Sequence, residues 1–328
     1  MNAAKISNPF ANPLDIGKLL GNPPPVLKHV LPGLLEGTVG AVVAPGGVGK
    51  TMLLLQLGMA VATAHQFCGG LFADAPKNCA MDTTPGKVVF VAAEESADLL
   101  SHRLHAVSSY MLTQVTPKPN MFEKTDFLEN LIENFGVHAL LGQPRALLID
   151  DEYEPSPEFE QLVAACKGAR LVLIDPLRQF HRGDENDSWN MTAVVQTLQI
   201  LAARTGAAVI AAHHTNRAST NAGTGDSAGA ARGSTALTDG IRWQLNLSSP
   251  GSSIVAQYGI DSDERNRYVQ VDIAKANYLA PQHSQLLERR AGGALALRPR
   301  PKAEKSQKLK LPVARATQLA ASRREVAK

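Results

Sequence analysis

The stretch VVAPGGVGKT, residues 42–51, constrains the fold and chemistry of this chain more than any other part of the sequence. Its glycines leave the main chain open, so that consecutive N–H groups can turn toward one anion. Apolar residues lie on both sides, at 38–43 and 52–57, as expected of a buried strand before the loop and a helix after it. The N-terminus of such a helix adds a partial positive charge, and the stretch therefore predicts a phosphate-binding loop.

The loop fits the pattern G-x-x-x-x-G-K-[ST] except at its first position, where Ala44 replaces glycine. In this pattern the lysine reaches the β- and γ-phosphates of a nucleoside triphosphate, and the hydroxyl of Thr51 ligates Mg²⁺. The guanine signature N-K-x-D does not occur, so we favour ATP. The predicted nucleotide contacts are Ala44, Gly46, Gly47, Val48, Gly49, Lys50, Thr51 and Met52.

Apolar stretches with near-continuous character predict strands that are buried on both faces of a sheet. Helix-length segments alternate with several of them, which favours an α/β fold with a twisted, mostly parallel sheet and helices on both faces. In later segments apolar and polar residues alternate more strongly, and we expect these segments to extend the sheet as antiparallel strands toward the C-terminus. The predicted buried strands are 38–43, 87–93, 146–150, 171–175 and 207–212, the helices are 51–65, 97–113, 157–167 and 189–204, and the later strands are 241–247, 253–257 and 267–275.

Two acidic stretches compete to supply the carboxylate that holds Mg²⁺ through water. LVLIDPLRQF ends its apolar run at Asp175, whereas ALLIDDE, residues 146–152, ends in three acids. We prefer Asp175, because a helix-like segment precedes its strand as a βαβ unit requires. The acids at 150–152 remain the alternative.

Two further strand ends carry polar side chains. VVFVAAEES places Glu94 and Glu95 where ligands of parallel sheets bind. Glu94 comes first and could polarise an attacking water, although both acids could instead only cap the next helix. VIAAHHTNR ends another strand with His213 and His214. Neighbouring strand residues face opposite sides, so one histidine can face the γ-phosphate, while a metal ion shared by the two is disfavoured.

Composition narrows the protein class. No apolar run reaches the roughly 18 residues of a membrane span, and no signal pattern begins the chain, so we expect a cytoplasmic protein without a membrane partner. The cysteines, Cys68, Cys79 and Cys166, stand far apart without a C-x-x-C pair, which argues against a disulfide framework or a zinc ribbon.

Charge is distributed unevenly along the chain. Residues 298–328 hold ten Lys or Arg and two Glu, a net charge of +8 in a chain of net +3, which leaves the remainder at −5. We predict a flexible Pro-rich leader at 1–25, one main domain at 26–297 and a basic, disordered tail at 298–328. The tail is either a solvated extension or an arm that contacts nucleic acid or an acidic partner. Within the domain, residues 215–234 are nearly all small or polar, which is typical of a functional or disordered loop.

Six segments stand in an order and spacing that go beyond a generic phosphate loop: LPGLLEGTVGAVVAPGGVGKT, FVAAEES, RLVLIDPLRQFH, AAHHTNRAS, AARGSTALTDGIRW and AKANY. Over about residues 24–298 the chain resembles the RepA-type hexameric replicative helicases of IncQ-like plasmids. The resemblance implies a RecA-like P-loop core related to the ATPase domain of DnaB. It also implies a homohexameric ring that unwinds DNA with ATP and Mg²⁺, and single-stranded DNA in the central channel.

The same resemblance assigns roles to the candidate residues. Lys50 and Thr51 would bind nucleotide and Mg²⁺, Glu94 would be the catalytic base and Asp175 the Walker B acid. His213 would sense the γ-phosphate.

Arg232 looks like the arginine finger that reaches the neighbouring subunit's site. An arginine in a surface ion pair is the plainer alternative for it. Residues 215–231 look like a DNA-contacting loop in the channel. The candidate phosphate partners on DNA are Arg178, Arg182 and Arg217.

The sequence departs from the family at two places. Ala44 replaces the usual glycine, and Lys275 is followed two positions on by Asn277 where DnaB-type ATPases carry K-x-R. Lys275 is therefore the only cation left there as a second group acting in trans. A replication initiator and a primase are further implied partners. The alternative function is a RecA-like regulatory ATPase that assembles on DNA or protein in response to ATP without unwinding.

Overall fold

A sheet of nine strands forms the centre of the molecule. The computed structural model describes residues 10–65, 68, 70–73, 75–115, 123–143, 148–150, 152, 154–214 and 235–301. Within these, a small antiparallel ribbon of β1 and β2 precedes the sheet. The strands are β1 His29–Leu31, β2 Leu34–Leu35, β3 Val39–Ala44, β4 Val88–Ala92, β5 Phe135–Ala139, β6 Leu171–Asp175, β7 Ala208–His214, β8 Trp243–Ser248, β9 Tyr268–Ala276, β10 Gln285–Arg289 and β11 Leu295–Arg298.

Helices cover the sheet. In the described part of the chain they are α1 Ile16–Leu20, α2 Lys50–Thr63, α3 Ala97–Gln114, α4 Glu123–Asn134, α5 Phe159–Ala165, α6 Ser188–Thr205, α7 Ala236–Gly240 and α8 Ser252–Tyr258. The four helices expected from the sequence correspond to α2, α3, α5 and α6, with ends that shift by one or two residues. Their alternation with strands confirms the predicted α/β fold.

Strand β3 lies in the middle of the sheet and carries the glycine-rich loop at its end. The order is β11-β10-β9-β8-β3-β7-β6-β4-β5. From β8 to β5 all neighbours are parallel, and from β8 to β11 all are antiparallel. The structure therefore confirms the mostly parallel sheet with an antiparallel extension toward the C-terminus. Strand β8 joins the two parts, since it is parallel to β3 and antiparallel to β9.

Both faces of the central strands are buried, as their near-continuous apolar sequences predict. Val42 and Ala44 of β3 pack in the cluster that contains α2, whereas Ala41 and Val43 pack in the cluster with α5 and α6. Helix α2 has 13 buried residues of its 14, so it is a core helix rather than an amphipathic surface helix. The glycine-rich loop thus joins two fully buried elements.

Residues 148–150 of the predicted strand 146–150 do not form a strand. Residues 146 and 147 lie outside the described part, and in 148–150 Ile149 makes only an isolated bridge to Pro155. Asp150 accepts hydrogen bonds on its carboxylate from the N–H groups of Glu152 and Glu154, which closes a turn. Strand β4 lies between β6 and β5, and β5, whose exposure alternates along the strand, was not predicted.

The predicted strand at 253–257 is also wrong, because Ser252–Tyr258 forms helix α8. Gly259 ends the helix in the left-handed conformation, with a φ of 62°. Five residues of alternating character do not distinguish a strand from a short helix. Strands β10 and β11 and helix α4 were not predicted.

Within residues 10–25, the described part of the leader, Ile16–Leu20 forms α1, whose N-cap is Asp15 and whose five residues are all exposed. The last strand ends at Arg298. The division into leader, domain and tail stays a prediction, and residues 1–9 and 302–328 lie outside the described residues. Among the helices of the described chain, none is both long and apolar enough to cross a membrane.

Packing at Gly40 in β3 tests this sheet. A Cβ there would lie 2.8 Å from Cε3 and 3.1 Å from the carbonyl oxygen of Trp243. The indole is fully buried and donates from Nε1 to the carbonyl of Pro32 at 3.1 Å, so it has little room to move. We expect Gly40→Ala to lower the free energy of unfolding by about 1–3 kcal/mol, measured by urea denaturation.

The matched control is Gly136→Ala in β5, where the new Cβ would meet its nearest atom, the Val88 carbonyl oxygen, at 3.7 Å. We expect a change within about 0.5 kcal/mol there. Equal effects of the two substitutions would contradict the close contact of β3 with β8.

Candidate nucleotide-binding site

The glycine-rich loop has the main-chain shape that an anion site needs. Gly47 and Gly49 take left-handed φ values of 76° and 107°, which favour glycine. A Cβ on Gly46 or Gly47 would meet nothing within 4 Å, so the space beside the loop is open. Gly49 is the N-cap of α2 and provides no side-chain cap. The first N–H groups of this 14-residue helix are therefore available to an anion.

Ala44 explains why the first glycine of the pattern can be absent. Ala44 is fully buried at the end of β3 and packs in the cluster around α2. The residues with left-handed φ do not include it. A methyl group is thus accommodated without strain, and we call residues 44–52 the nucleotide loop.

Thr51 and Asp175 meet at the carboxyl edge of the sheet. Thr51 Oγ1 donates to Asp175 Oδ2 at 2.7 Å. Burial raises the pKa of the Asp175 carboxyl, and the Thr51 hydroxyl opposes this shift. Asp175 is thus next to the loop hydroxyl, whereas Asp150 is used in its own turn. The geometry favours Asp175 over Asp150 as the metal-side carboxylate, and Asp151 lies outside the described residues.

Glu94 and Glu95 have different surroundings. Glu95 Oε1 forms an ion pair with Arg103 at 2.6 Å, which ties it to α3. Glu94 is exposed, and its Oε1 accepts a hydrogen bond from Gln179 Nε2 at 3.2 Å. Ala93 N–H donates to the Asp175 carbonyl, so the ends of β4 and β6 are held together. Glu94 is therefore the carboxylate that faces solvent at the same edge as Asp175.

Lys50 and His213 connect the nucleotide loop to β7. Lys50 Nζ donates to the His213 carbonyl at 3.2 Å, and both residues are buried. The His213 imidazole points to the loop after β6, where its Nδ1 lies 3.6 Å from Glu185 Oε1. His214 pairs with Ala44 across the strands and is partly exposed. The structure thus brings Lys50, Thr51, Asp175 and His213 together at one edge.

Two buried groups beside His213 were missed by the sequence analysis. Glu185 and His181 are 8% and 4% exposed and lie in the loop that follows β6. Burial lowers the pKa of His181 to about 4, with Arg178 and His213 as further causes. Only the proximity of these residues to Asp175 along the chain could have indicated them.

The cations expected to act on DNA or in trans lie in different surroundings. Arg178 Nη1 donates to the Gly183 carbonyl at 2.9 Å, which fixes it within its loop, and Arg182 is exposed. Lys275 Nζ donates to the Thr238 carbonyl at 2.6 Å, and burial lowers its pKa. Lys275 lies in β9, two strands from β3. Arg217 and Arg232 lie outside the described residues.

Arg289 is a contact of the nucleotide loop that the sequence analysis missed. It lies at the end of β10, and its Nη2 donates to the Val48 carbonyl at 2.7 Å. No motif signals it, because the contact joins residues 241 positions apart.

In the part of the chain that the structure describes, no group of three or more His, Cys, Asp or Glu could hold a metal ion by itself. A Mg²⁺ ion prefers oxygen ligands and keeps several water molecules of its own. Thr51 and Asp175 supply the oxygen atoms that such an ion prefers.

Comparisons with known proteins agree with this architecture. Residues 6–220 match a family described as "AAA domain". The structure titled "ATPase Domain of G40P" is 13% identical with a TM-score of 0.54, over 83% of this chain and 92% of that one. A DnaB-like replicative helicase, described with its interactions with primase, is 13% identical with a TM-score of 0.56, over 86% of this chain and 66% of that one.

A KaiC-like protein, PH0186 from Pyrococcus horikoshii OT3, is 15% identical with a TM-score of 0.45, over 84% of this chain and 100% of that one. The two likenesses with the higher scores establish the fold as a RecA-like P-loop core. At 13% identity they establish the fold and do not establish an activity of this chain.

The pKa of His181 predicts a specific pH dependence of stability. Its pKa falls from 6.5 to about 4 on folding, so between these values the unfolded chain binds the proton and the folded chain does not. The free energy of unfolding should therefore fall as the pH is lowered from 6.5 toward 4. At about 1.4 kcal/mol per pKa unit, the group contributes about 3 kcal/mol across this range.

Urea unfolding of the wild type and of His181→Gln at a series of pH values measures this contribution as a difference in slope. Parallel curves for the two proteins would show that His181 is not held neutral by the fold.

Proposed function

The chain belongs to the AAA domain family, and from that premise we propose that it is an ATP-hydrolysing motor that assembles into a ring and translocates on single-stranded DNA. The observation that carries this proposal is the meeting of Lys50, Thr51 and Asp175 at one sheet edge, beside the exposed Glu94. A scaffold that only bound nucleotide would have no need of a solvent-facing carboxylate there. The names of the solved relatives, an ATPase domain and a DnaB-like replicative helicase, support the motor reading.

ATP and Mg²⁺ fit the chemistry of the nucleotide loop. Main-chain N–H groups at the start of α2 and the Lys50 ammonium bind the phosphates. The Thr51 hydroxyl would ligate the ion, and Asp175 would hold it through water. Bound Mg²⁺ supplies positive charge that offsets the charge on the phosphate oxygens. The 2.7 Å hydrogen bond between Thr51 and Asp175 supports this pairing, since it places the two oxygens side by side.

In hydrolysis Glu94 orients a water molecule and accepts its proton. The water oxygen forms a bond to the γ-phosphorus as the bond to the bridging oxygen breaks, and ADP and phosphate are released. Lys50 remains next to the charge that develops on the phosphate oxygens. Gln179, which donates to Glu94 Oε1, keeps the carboxylate at the edge where the water must bind.

Assembly and DNA binding extend the proposal beyond the described residues. Arg232 is the cation that completes the neighbouring subunit's site, and Lys275 is a second cation for that role. His213, which contacts both Lys50 and the loop of Glu185, senses the γ-phosphate. The proposed contacts to DNA phosphates are Arg178, Arg182 and Arg217.

The finer identity follows the sequence resemblance. We propose that the chain is a RepA-type helicase of an IncQ-like plasmid. We further propose that it forms a homohexamer in the cytoplasm. A replication initiator and a primase are its proposed partners, and the name of one solved relative mentions primase for that protein. The alternative is a regulatory ATPase that assembles on ATP and does not unwind.

The substitution Glu94→Gln tests the motor. We expect ATP turnover to fall by about 10²–10⁴-fold while nucleotide binding is kept, because the variant loses the proton acceptor and keeps the loop. Displacement of a labelled strand from forked DNA should be lost with it. Asp98→Asn, an exposed acid in the first turn of α3, is the matched control and should retain both activities.

Two outcomes would contradict the proposal in different ways. Normal turnover in Glu94→Gln removes Glu94 as the base. Hydrolysis by the wild type without strand displacement favours the regulatory ATPase.

A mixing experiment tests the role of Arg232 in trans. Arg232→Ala should bind ATP with wild-type affinity and lose turnover by about 10³-fold or more. Wild-type subunits mixed with a rising fraction of the variant should lose activity faster than in proportion to their dilution. A strictly proportional loss would place the action of Arg232 within its own subunit or outside catalysis.

A further inference from the structure

The hairpin of β10 and β11, residues 285–298, reaches back to the nucleotide loop from the opposite end of the domain sequence. Its tip packs on the helices that follow the loop. A Cβ on Gly292 would lie 2.5 Å from Cβ of Ala106 in α3, and a Cβ on Gly293 would lie 3.4 Å from Cε of Met52 in α2. The tip therefore fits closely against the start of α2.

Gln56 fixes this hairpin to α2. The side chain is fully buried, donates from Nε2 to the Leu295 carbonyl at 2.9 Å and accepts at Oε1 from Leu295 N–H at 2.8 Å. Both polar ends of the amide are thus satisfied by one residue of β11. This pairing holds the neighbouring strand β10 in a fixed position relative to the nucleotide loop.

From that position Arg289 lies against the main chain of the loop. Its Nη2 donates to the Val48 carbonyl at 2.7 Å. A Cβ built on Gly49 would lie 3.1 Å from Nη1, so the guanidinium fills the space that the glycine leaves. One of the five N–H donors of the guanidinium is used on Val48, and the others remain beside the start of α2.

The charge of Arg289 has no carboxylate partner within 4 Å in the described chain. The acid next to it in sequence, Glu288, pairs instead with Arg267 at 3.3 Å and Arg290 at 3.0 Å. Arg289 is partly buried, and this burial lowers its pKa, which reflects the cost of holding a cation there. A partly buried cation without a counterion, at the edge of an anion-binding loop, is best satisfied by the anion itself.

We propose that Arg289 binds the phosphates of the nucleotide held by its own subunit, through the donors that Val48 leaves free. It is a binding residue that acts in cis, separate from the cations proposed to act in trans. The inference rests on the proposed function, in which residues 44–52 bind ATP. It gives the C-terminal hairpin a direct part in the nucleotide site.

The test separates the charge of Arg289 from its hydrogen bond to Val48. Arg289→Gln keeps a neutral donor for the carbonyl and loses the charge, whereas Arg289→Lys keeps the charge. We expect Gln to weaken the affinity for ATP and ADP by about tenfold and Lys to weaken it less. Affinities are measured by competition against a fluorescent ATP analogue, and urea unfolding of each variant establishes that it is folded.

Arg290→Gln is the matched control, because Arg290 is the adjacent arginine and already pairs with Glu288. It should bind ATP as the wild type does. Wild-type affinity in Arg289→Gln, or equal losses in the Gln and Lys variants, would overturn the inference. Lys50→Ala distinguishes this from failure of the proposed function. If the wild type binds ATP and Lys50→Ala does not, while Arg289→Gln binds normally, only the role of Arg289 is wrong.

Discussion

A loop rich in glycine has few side chains to fix its conformation. The nucleotide loop at the carboxyl edge of this sheet therefore depends on hydrogen bonds to other parts of the chain. Lys50 Nζ donates to the carbonyl at His213 and Thr51 Oγ1 to the carboxylate of Asp175. Arg289 donates to the carbonyl of Val48. These three bonds come from three different strands, so the loop is fixed by the sheet order itself. Each of them satisfies a polar group that burial would otherwise leave costly.

The same edge concentrates charge that the fold must balance. Asp175 is buried with a raised pKa, and the Thr51 hydroxyl offsets part of that cost. His181 is buried with a lowered pKa, so burial disfavours the charged form of both groups. A nucleotide and its metal ion bring charges of both signs to such an edge. The buried groups that raise the electrostatic cost of the free protein therefore also favour binding of a charged ligand.

The sequence predicted the parts of this fold in which local pattern and burial agree. Strand β3, the nucleotide loop and α2 were found together, because glycine, lysine and threonine stand at fixed spacing between two apolar runs. Residues 148–150 of the strand expected at 146–150 do not form one, since an apolar run beside acids also suits a segment that leads into an exposed turn closed by Asp150. Arg289 could not have been found, because nothing in its surroundings differs from an ordinary charged strand end. Its role becomes visible only through its hydrogen bond to the carbonyl of Val48, 241 positions away in the sequence.

The position of β3 between β7 and β8 has a consequence for the order in which the chain folds. A ribosome makes β3 and the nucleotide loop before both of the strands that flank β3 in the sheet. The three bonds that hold the loop span 163, 124 and 241 residues. Such long-range pairing closes slowly, and the fully apolar β3 has no sheet partners until β7 emerges. Nucleotide binding should therefore appear only after β10 has been made, as a late sign that this domain has closed.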